Sequence, residues 1–243
     1  LSSYSAFVIK PSRGALGNGI IVISETRDGM FMRVDGKRED VQSIRYHISH
    51  ILSGFYSING YPDRAIVQYK ITTHRALQPL SAGGVPDIRI IVYRGFPVMA
   101  MMRIPTKKSQ GRANLHQGGI GVGINVITGK TTGGVDGTRI VHTHPDSGVE
   151  LRDIPIPHWK KILHLAVMGF ELSGLGYLGA DIALDDTKGP LLLELNARPG
   201  LSIQLANMIG LRKRLSLFND IPISGLSPKE RVKKALEIIS RFE

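Results

Sequence analysis

Two apolar runs separated by a short polar turn constrain this chain more than any other feature. Tyr177-Leu178-Gly179-Ala180-Asp181-Ile182-Ala183-Leu184 stops at Asp185-Asp186-Thr187-Lys188-Gly189-Pro190, and Leu191–Leu195 returns. Runs of this length, bounded by Asp, Gly and Pro, read as a β-hairpin. Pairing Leu184 with Leu191 sets Asp181 directly opposite Glu194, with their Cβ atoms about 4.5–5.5 Å apart. Asn196, two residues further on, points to the same face. Two facing carboxylates repel unless a cation sits between them. An all-oxygen set without His or Cys suits Mg²⁺, with Mn²⁺ as a substitute. The plainer alternative is a polar face turned to water. Arg198, in Arg198-Pro199-Gly200-Leu201-Ser202 just beyond, offers a planar fork for phosphate or carboxylate; otherwise it is a turn arginine without a ligand.

The rest of the chain alternates strands and short helices. Ala6–Lys10 and Ile20–Ile23 read as strands around a glycine-rich loop, Val41–Ser53 as a helix ending at Gly54, and Ala65–Ile71 as a strand. Asp87–Tyr93 and Val98–Arg103 form a second hairpin. Lys107–Gly123 reads as a mobile glycine-rich loop and Val126 to Asp153 as irregular chain. His158–Ser173 is a helix stopping at Gly174, and Ser202–Ile209 a shorter one. Ser227-Pro228-Lys229-Glu230 is a capping box that launches a last helix. Repeated hairpins with few helices predict an α+β fold of antiparallel layers rather than a doubly wound parallel sheet.

A second chemical signal lies in Lys10-Pro11-Ser12-Arg13-Gly14-Ala15-Leu16-Gly17-Asn18-Gly19. Glycines between two strands let backbone N–H groups approach a polyphosphate, and Lys10 ends the first strand as a point charge. A flexible hairpin loop with a surface lysine is the simpler reading. No helix with a Gly-Lys-Ser/Thr start follows, so this is not a Walker loop. His142 and His144 form a His-x-His pair without a strong third ligand and read as surface loop. Trp159 reads as a core anchor at a helix start, and Met99, Met101 and Met102 as strand packing.

The net charge of +11 raises the question of nucleic acid. The cations are scattered in small clusters, Lys107-Lys108 with Arg112, Lys160-Lys161 and Arg212-Lys213-Arg214. Aromatic residues are only 6% of the chain and are not interleaved with them, so no stacking platform for a single strand is predicted. No apolar run reaches the roughly 18 residues of a membrane span. Cysteine is absent, which excludes disulfides, thiolate metal sites and cysteine nucleophiles and fits a cytoplasmic enzyme.

Taken in order, these motifs resemble the ATP-grasp superfamily. Within it, Gly84-Val85-Pro86-Asp87-Ile88-Arg89, Gly111-Arg112-Ala113-Asn114-Leu115-His116-Gln117-Gly118 and Gly189–Gly200 are similar to the alpha-L-glutamate ligase-like proteins, relatives of ribosomal-protein glutamate ligases. The resemblance spans about residues 6 to 210. It implies an ATP-grasp fold of two subdomains clasping ATP, at 1–71 and 72–210, followed by a C-terminal helical tail at 211–243. Relatives carry a leading domain that is expected to be missing here, as the start Leu1-Ser2-Ser3 without Met also indicates.

The resemblance also implies roles. Lys10 would contact the ATP phosphates, and Gly14, Gly17, Asn18 and Gly19 would close over them. Gln68, Tyr69, Lys70 and Ile71 would line the adenine, although many relatives have Glu where Gln68 stands. Asp87 would lie near the ribose and phosphate end. Arg89 and Arg103 would stabilise the transferring phosphoryl group or the acyl phosphate, and Arg198, read above from its own position, would join them as a catalytic residue. Asp181, Glu194 and Asn196 would bind Mg²⁺. Arg112, Asn114 and His116 would hold substrates. The implied reaction joins a carboxylate to an amine through an acyl phosphate, with an anionic amino acid or peptide as substrate and a peptide or protein as acceptor. The competing readings are a non-catalytic nucleotide-binding scaffold and, on charge alone, an RNA-binding accessory protein.

Overall fold

The computed structural model describes residues 4–14 and 17–242. Ala15 and Leu16, inside the loop expected to close over phosphate, lie outside the described residues. The chain divides into two units, Leu1–Ile71 and Thr72–Glu243.

The first unit is a five-stranded antiparallel sheet backed by one helix. Its elements are β1 (Phe7–Pro11), β2 (Ile21–Arg27), β3 (Met30–Arg33), β4 (Arg38–Glu39), α1 (Val41–Leu52) and β5 (Ala65–Tyr69), in the sheet order β4-β3-β2-β1-β5. Alternation along β1 buries Phe7 and Ile9, which join Ile21, Ile23 and Phe31. Against them α1 sets Ile44 and Ile51, seven residues apart and hence on one helical face. Asp40 starts this helix by accepting a bond from the backbone N–H of Ser43 at 2.7 Å.

The second unit is an eight-stranded antiparallel sheet built from β6 (Asp87–Tyr93), β7 (Phe96–Ile104), β8 (Ile120–Ile124), β9 (Lys130–Asp136), β10 (Arg139–Val141), β11 (Arg152–Pro155), β12 (Tyr177–Asp185) and β13 (Gly189–Asn196). The order is β10-β9-β8-β7-β6-β12-β13, with β11 pairing separately to β9. Helices α2 (Trp159–Ser173), α3 (Ile203–Asn207), α4 (Leu211–Ser216) and α5 (Pro228–Ser240) complete it. One sheet face carries Ile88, Ile90, Ala100, Met102, Val122, Ala180 and Ile182, all fully or almost fully buried in the core that α2 and α5 help to build. Residues 211–242 therefore pack into this unit. Arg231 of α5 lies over the Phe170 ring of α2 and pairs with Glu171. The α+β antiparallel architecture is as the sequence predicts, and the Ser227–Glu230 capping box forms on both sides.

Two stretches differ from expectation. Val126 to Asp153 holds β9, β10 and the start of β11, and Lys107–Gly123 runs into a further strand, β8. The sequence Ile120-Gly121-Val122-Gly123-Ile124 looks unlike a strand because glycine weakens one. Here the glycines are required by packing. A Cβ on Gly121 would meet the Leu115 side chain at 2.7 Å, and one on Gly123 would collide with the carbonyl oxygen of Ala206 in α3. The start of the same loop is cross-tied rather than loose: the Ser109 N–H and hydroxyl bond back to the Thr106 hydroxyl and carbonyl, and the Thr106 hydroxyl donates to Gly118 O at 2.8 Å.

Candidate active site

The face of the second sheet opposite the α2–α5 core carries charge. Residues directly opposite in antiparallel strands share a face, and the register sets Arg89 between Met101 and Asp181, Asp181 beside Glu194, and Asp87 beside Arg103. The pairing of β12 with β13 holds a correction. Leu184 faces Pro190, not Leu191, so the turn is one residue off the expected register. A bulge between Asp181 and Ile182 takes up the slip and restores Asp181 to a position opposite Glu194. Glycine again makes room on this face, since a Cβ on Gly179 would meet Pro199 at 2.7 Å.

Asp181 is the hub. Its side chain is 1% exposed and accepts from Arg89 Nε at 2.7 Å, Arg89 Nη2 at 2.6 Å, Arg103 Nη2 at 2.8 Å and Asn196 Nδ2 at 3.0 Å. Arg103 also donates from Nε to Asp87 at 2.6 Å. The Asn196 amide spans the two hairpin carboxylates, since Nδ2 also reaches Glu194 Oε1 at 3.1 Å. Three carboxylates and two guanidinium groups thus share one surface. Glu194 is its exposed edge and Asp181 its buried centre.

The environment pushes the two aspartates apart. Burial lifts the Asp87 carboxyl to about 6; Arg103 pulls it down, and the nearby Asp181 charge raises it further. Burial also works against ionised Asp181, but the bonds and charges of Arg89 and Arg103 outweigh it and hold the group below the usual carboxylate range. For Arg103 burial disfavours the charge, and Asp87 and Asp181 overcome it, so the guanidinium stays ionised.

The expected metal ligands come together: Asp181, Glu194 and Asn196 lie within one hydrogen-bond network on one hairpin face. The donor set fits a magnesium ion. It consists of oxygens alone, and one electropositive group, the Asn196 N–H₂, already sits where both carboxylates converge. A half-turn of that amide presents Oδ1 instead. Asp181 accepts four bonds, one on Oδ1 and three on Oδ2, so Oδ1 keeps an acceptor position that a cation can take. Sequence reasoning assigned Arg89 and Arg103 to phosphate and Asp181 to metal, and missed that the arginines grip Asp181 itself.

The other predicted residues are more dispersed. Arg198 is exposed and bonds to no described residue. Asn114 caps the 3₁₀ turn Leu115–Gln117 by accepting from the His116 N–H at 3.0 Å, so its side-chain oxygen serves the loop, while Arg112 and His116 are exposed. In the first unit Lys10 is half-buried on β1, opposite Ile66. Gln68 and Tyr69 end the edge strand β5, and Lys70 and Ile71 are the last residues of that unit. Gly17 and Gly19 take left-handed backbone conformations, and the Gly19 carbonyl oxygen accepts from His47 Nε2 at 2.9 Å. Gly14 bridges to Ser57, and Asn18 is exposed.

Two expectations about other residues need amending. His144 is buried, not on the surface. Its Nε2 meets the Pro105 carbonyl oxygen at 3.0 Å while Nδ1 accepts from the backbone N–H groups of Asp146 and Ser147, so it ties two loops together. Arg214, in the third basic cluster, is likewise buried. Trp159 is the anchor expected, donating from Nε1 to Val126 O at 2.8 Å.

The family described as sugar-transfer associated ATP-grasp matches residues 1–220. The chain belongs to that family. Among solved structures, D-cycloserine synthetase is similar at 12% identity, with a TM-score of 0.39, over 98% of this chain and 56% of that one. The chain therefore spans little more than half of that relative. No curated protein matches. No described helix is long and apolar enough to cross a membrane.

Proposed function

We propose that this ATP-grasp chain is an ATP-dependent carboxylate–amine ligase that works through an acyl phosphate. The observation that carries the reading is the network of Asp87, Arg89, Arg103, Asp181, Glu194 and Asn196 on one sheet face. A carboxylate resists attack by an amine because its leaving group would be oxide. Phosphorylation supplies a better one: a carboxylate oxygen attacks the γ-phosphorus of ATP and ADP leaves. The amine nitrogen then displaces phosphate, losing a proton as the amide forms.

In this reading Asp181, Glu194 and Asn196 would hold Mg²⁺, which would supply charge neutralisation for phosphoryl oxygens. Arg89 and Arg103 fix the Asp181 carboxylate and, with Arg198, add positive potential where phosphoryl charge develops. Lys10 meets the ATP phosphates, the Gly14–Gly19 loop covers them, and Gln68–Ile71 run along the adenine. No nucleophilic side chain is needed.

The acid is proposed to be glutamate or another anionic amino acid or peptide. The exposed Arg112 fork, with Lys107 and Lys108 on the same loop, supports that choice. The family's association with sugar transfer favours a second choice, in which the amine or carboxylate is borne by a saccharide. Phosphate release from Mg²⁺–ATP, screened across amino acids, acidic peptides, amino sugars and uronic acids with mass spectrometry of products, tests both. An acid–amine pair that stimulates release and appears as an amide supports the ligase. ATP binding without any turnover would leave a nucleotide-binding scaffold.

A further inference from the structure

The proposed chemistry has no use for His144, yet this side chain is buried with both ring nitrogens bonded. Nδ1 accepts from the Asp146 N–H at 3.2 Å and from the Ser147 N–H at 3.3 Å. Those bonds put the ring proton on Nε2, which donates to the Pro105 carbonyl oxygen at 3.0 Å. The backbone around the ring is a tight turn: the Gly148 N–H donates to His144 O and the His144 N–H to Val149 O, each at 2.8 Å. On the same turn Asp146 accepts from the Lys107 N–H at 2.8 Å.

Pro105 and Lys107 flank Thr106, the root of the loop that carries Arg112, Asn114 and His116. The buried Thr106 closes that loop on itself. Its hydroxyl donates to Gly118 O and accepts from the Ser109 N–H, and its carbonyl oxygen accepts from the Gly111 N–H at 3.2 Å. The Arg112 N–H then donates to Ser109 O at 3.1 Å. A second side of the loop is fixed by close packing, since a Cβ on Gly84 would collide with the Gly111 carbonyl oxygen. Strand β7 ends at Ile104, so the root follows directly on the strand whose Arg103 grips Asp181.

The turn alone does not call for histidine. An Asn or Asp side chain accepts from the same two N–H groups in an Asx turn. What the imidazole adds is Nε2, which reaches out of the turn to Pro105. A long, exposed guanidinium gains most from a carboxylate when the backbone beneath it is already ordered, because ordering it on binding would subtract from affinity. We propose that His144 is a positioning residue for the acid substrate: directly through Pro105, and through Asp146 on Lys107, it holds the loop that presents Arg112. The inference rests on the reading of Arg112 as the anchor of that acid.

Variants separate the two halves of the ring. His144→Asn keeps an acceptor for the turn and loses the bond to Pro105, whereas His144→Gln carries an N–H₂ group at the reach of Nε2. Kinetics use Mg²⁺–ATP with L-glutamate and with triglutamate as acids. His144→Asn should raise the KM of the active acid about tenfold, the equivalent of one lost hydrogen bond. The KM for ATP and kcat should stay unchanged, and amide hydrogen exchange at residues 106–118 should speed up. His144→Gln should recover most of the loss. Asp146→Ala, at a half-buried site outside the core, should show the same split and decides the matter if the His144 variants do not fold. Wild-type KM for the acid in both His144→Asn and Asp146→Ala overturns the inference, as does an equal rise in the KM for ATP, which would make His144 a general stabiliser. If Arg112→Ala raises the KM for the acid and His144→Asn does not, the inference falls alone. If Arg112→Ala leaves that KM unchanged, or neither acid stimulates phosphate release, the reading of Arg112 falls and the inference with it.

Discussion

Arg89 grips Asp181 with two parallel bonds, Nε at 2.7 Å and Nη2 at 2.6 Å, between side chains 11% and 1% exposed. This pair decides whether the acidic hairpin is a stable feature or a source of strain. An ionised carboxylate that buried is tolerated only with such partners.

Removing one partner should therefore be costly. Arg89→Ala leaves Asp181 with Arg103 as its only charged partner, beside the Asn196 amide, and should destabilise the second unit by about 3–5 kcal/mol. Arg89→Lys should recover only part of this, because an ammonium cannot form the fork. Urea unfolding of the three proteins measures it. Equal stability of wild type and Arg89→Ala would mean that Asp181 does not depend on its clamp.

Asp87 should titrate near 6 in the folded protein. Its folded pKa lies above the ordinary carboxylate value of about 4, so the folded state holds an extra proton between those two pH values. The stability Asp87 contributes is present at low pH and lost as pH rises through about 6. Asp181 has the opposite sign: its pKa is depressed, so its contribution is present above the ordinary value and lost as pH falls. Carboxyl-carbon NMR follows both. Asp181→Asn removes a like charge and should lower the Asp87 midpoint; an unchanged midpoint would mean that the two groups are not coupled.

Much of this site is legible in the sequence, and the reasons are local. Aliphatic runs with an Asp-rich turn specify the hairpin, and Asp181 and Glu194 fall opposite each other as alternation requires. The bulge that makes this true despite a shifted turn has no local signature. Nor does the grip of Arg89 and Arg103, since it depends on β6 and β7 lying beside β12, a pairing between residues far apart in the chain. Strand β8 is hidden for a different reason. Its glycines answer to the α3 backbone and the Leu115 side chain pressed against them, which propensity cannot register.

Arg112→Ala should raise the KM for an anionic acid substrate far more than the KM for ATP, because Arg112 is exposed on a loop cross-tied at Thr106 and Ser109 and is free to meet a ligand. Added salt should weaken the same substrate by screening. Kinetics with both substrates varied check this. Equal losses for acid and ATP would move Arg112 to the phosphate site.

Glu194→Gln should abolish phosphate release while leaving the fold intact, since Glu194 is the exposed edge of the network and Asn196 stays bonded to Asp181. Circular dichroism and phosphate assays run together distinguish these effects. Wild-type turnover in this variant would remove Glu194 from the metal set.

The central claim is that a carboxylate oxygen of the substrate becomes an oxygen of the released phosphate. Label the acid that proves active with ¹⁸O in its carboxylate, supply Mg²⁺–ATP and the amine, and weigh the inorganic phosphate. One ¹⁸O per phosphate, with ADP and the amide in equal amounts, is the predicted result. Unlabelled phosphate, or release of AMP and pyrophosphate instead, would contradict the acyl-phosphate account.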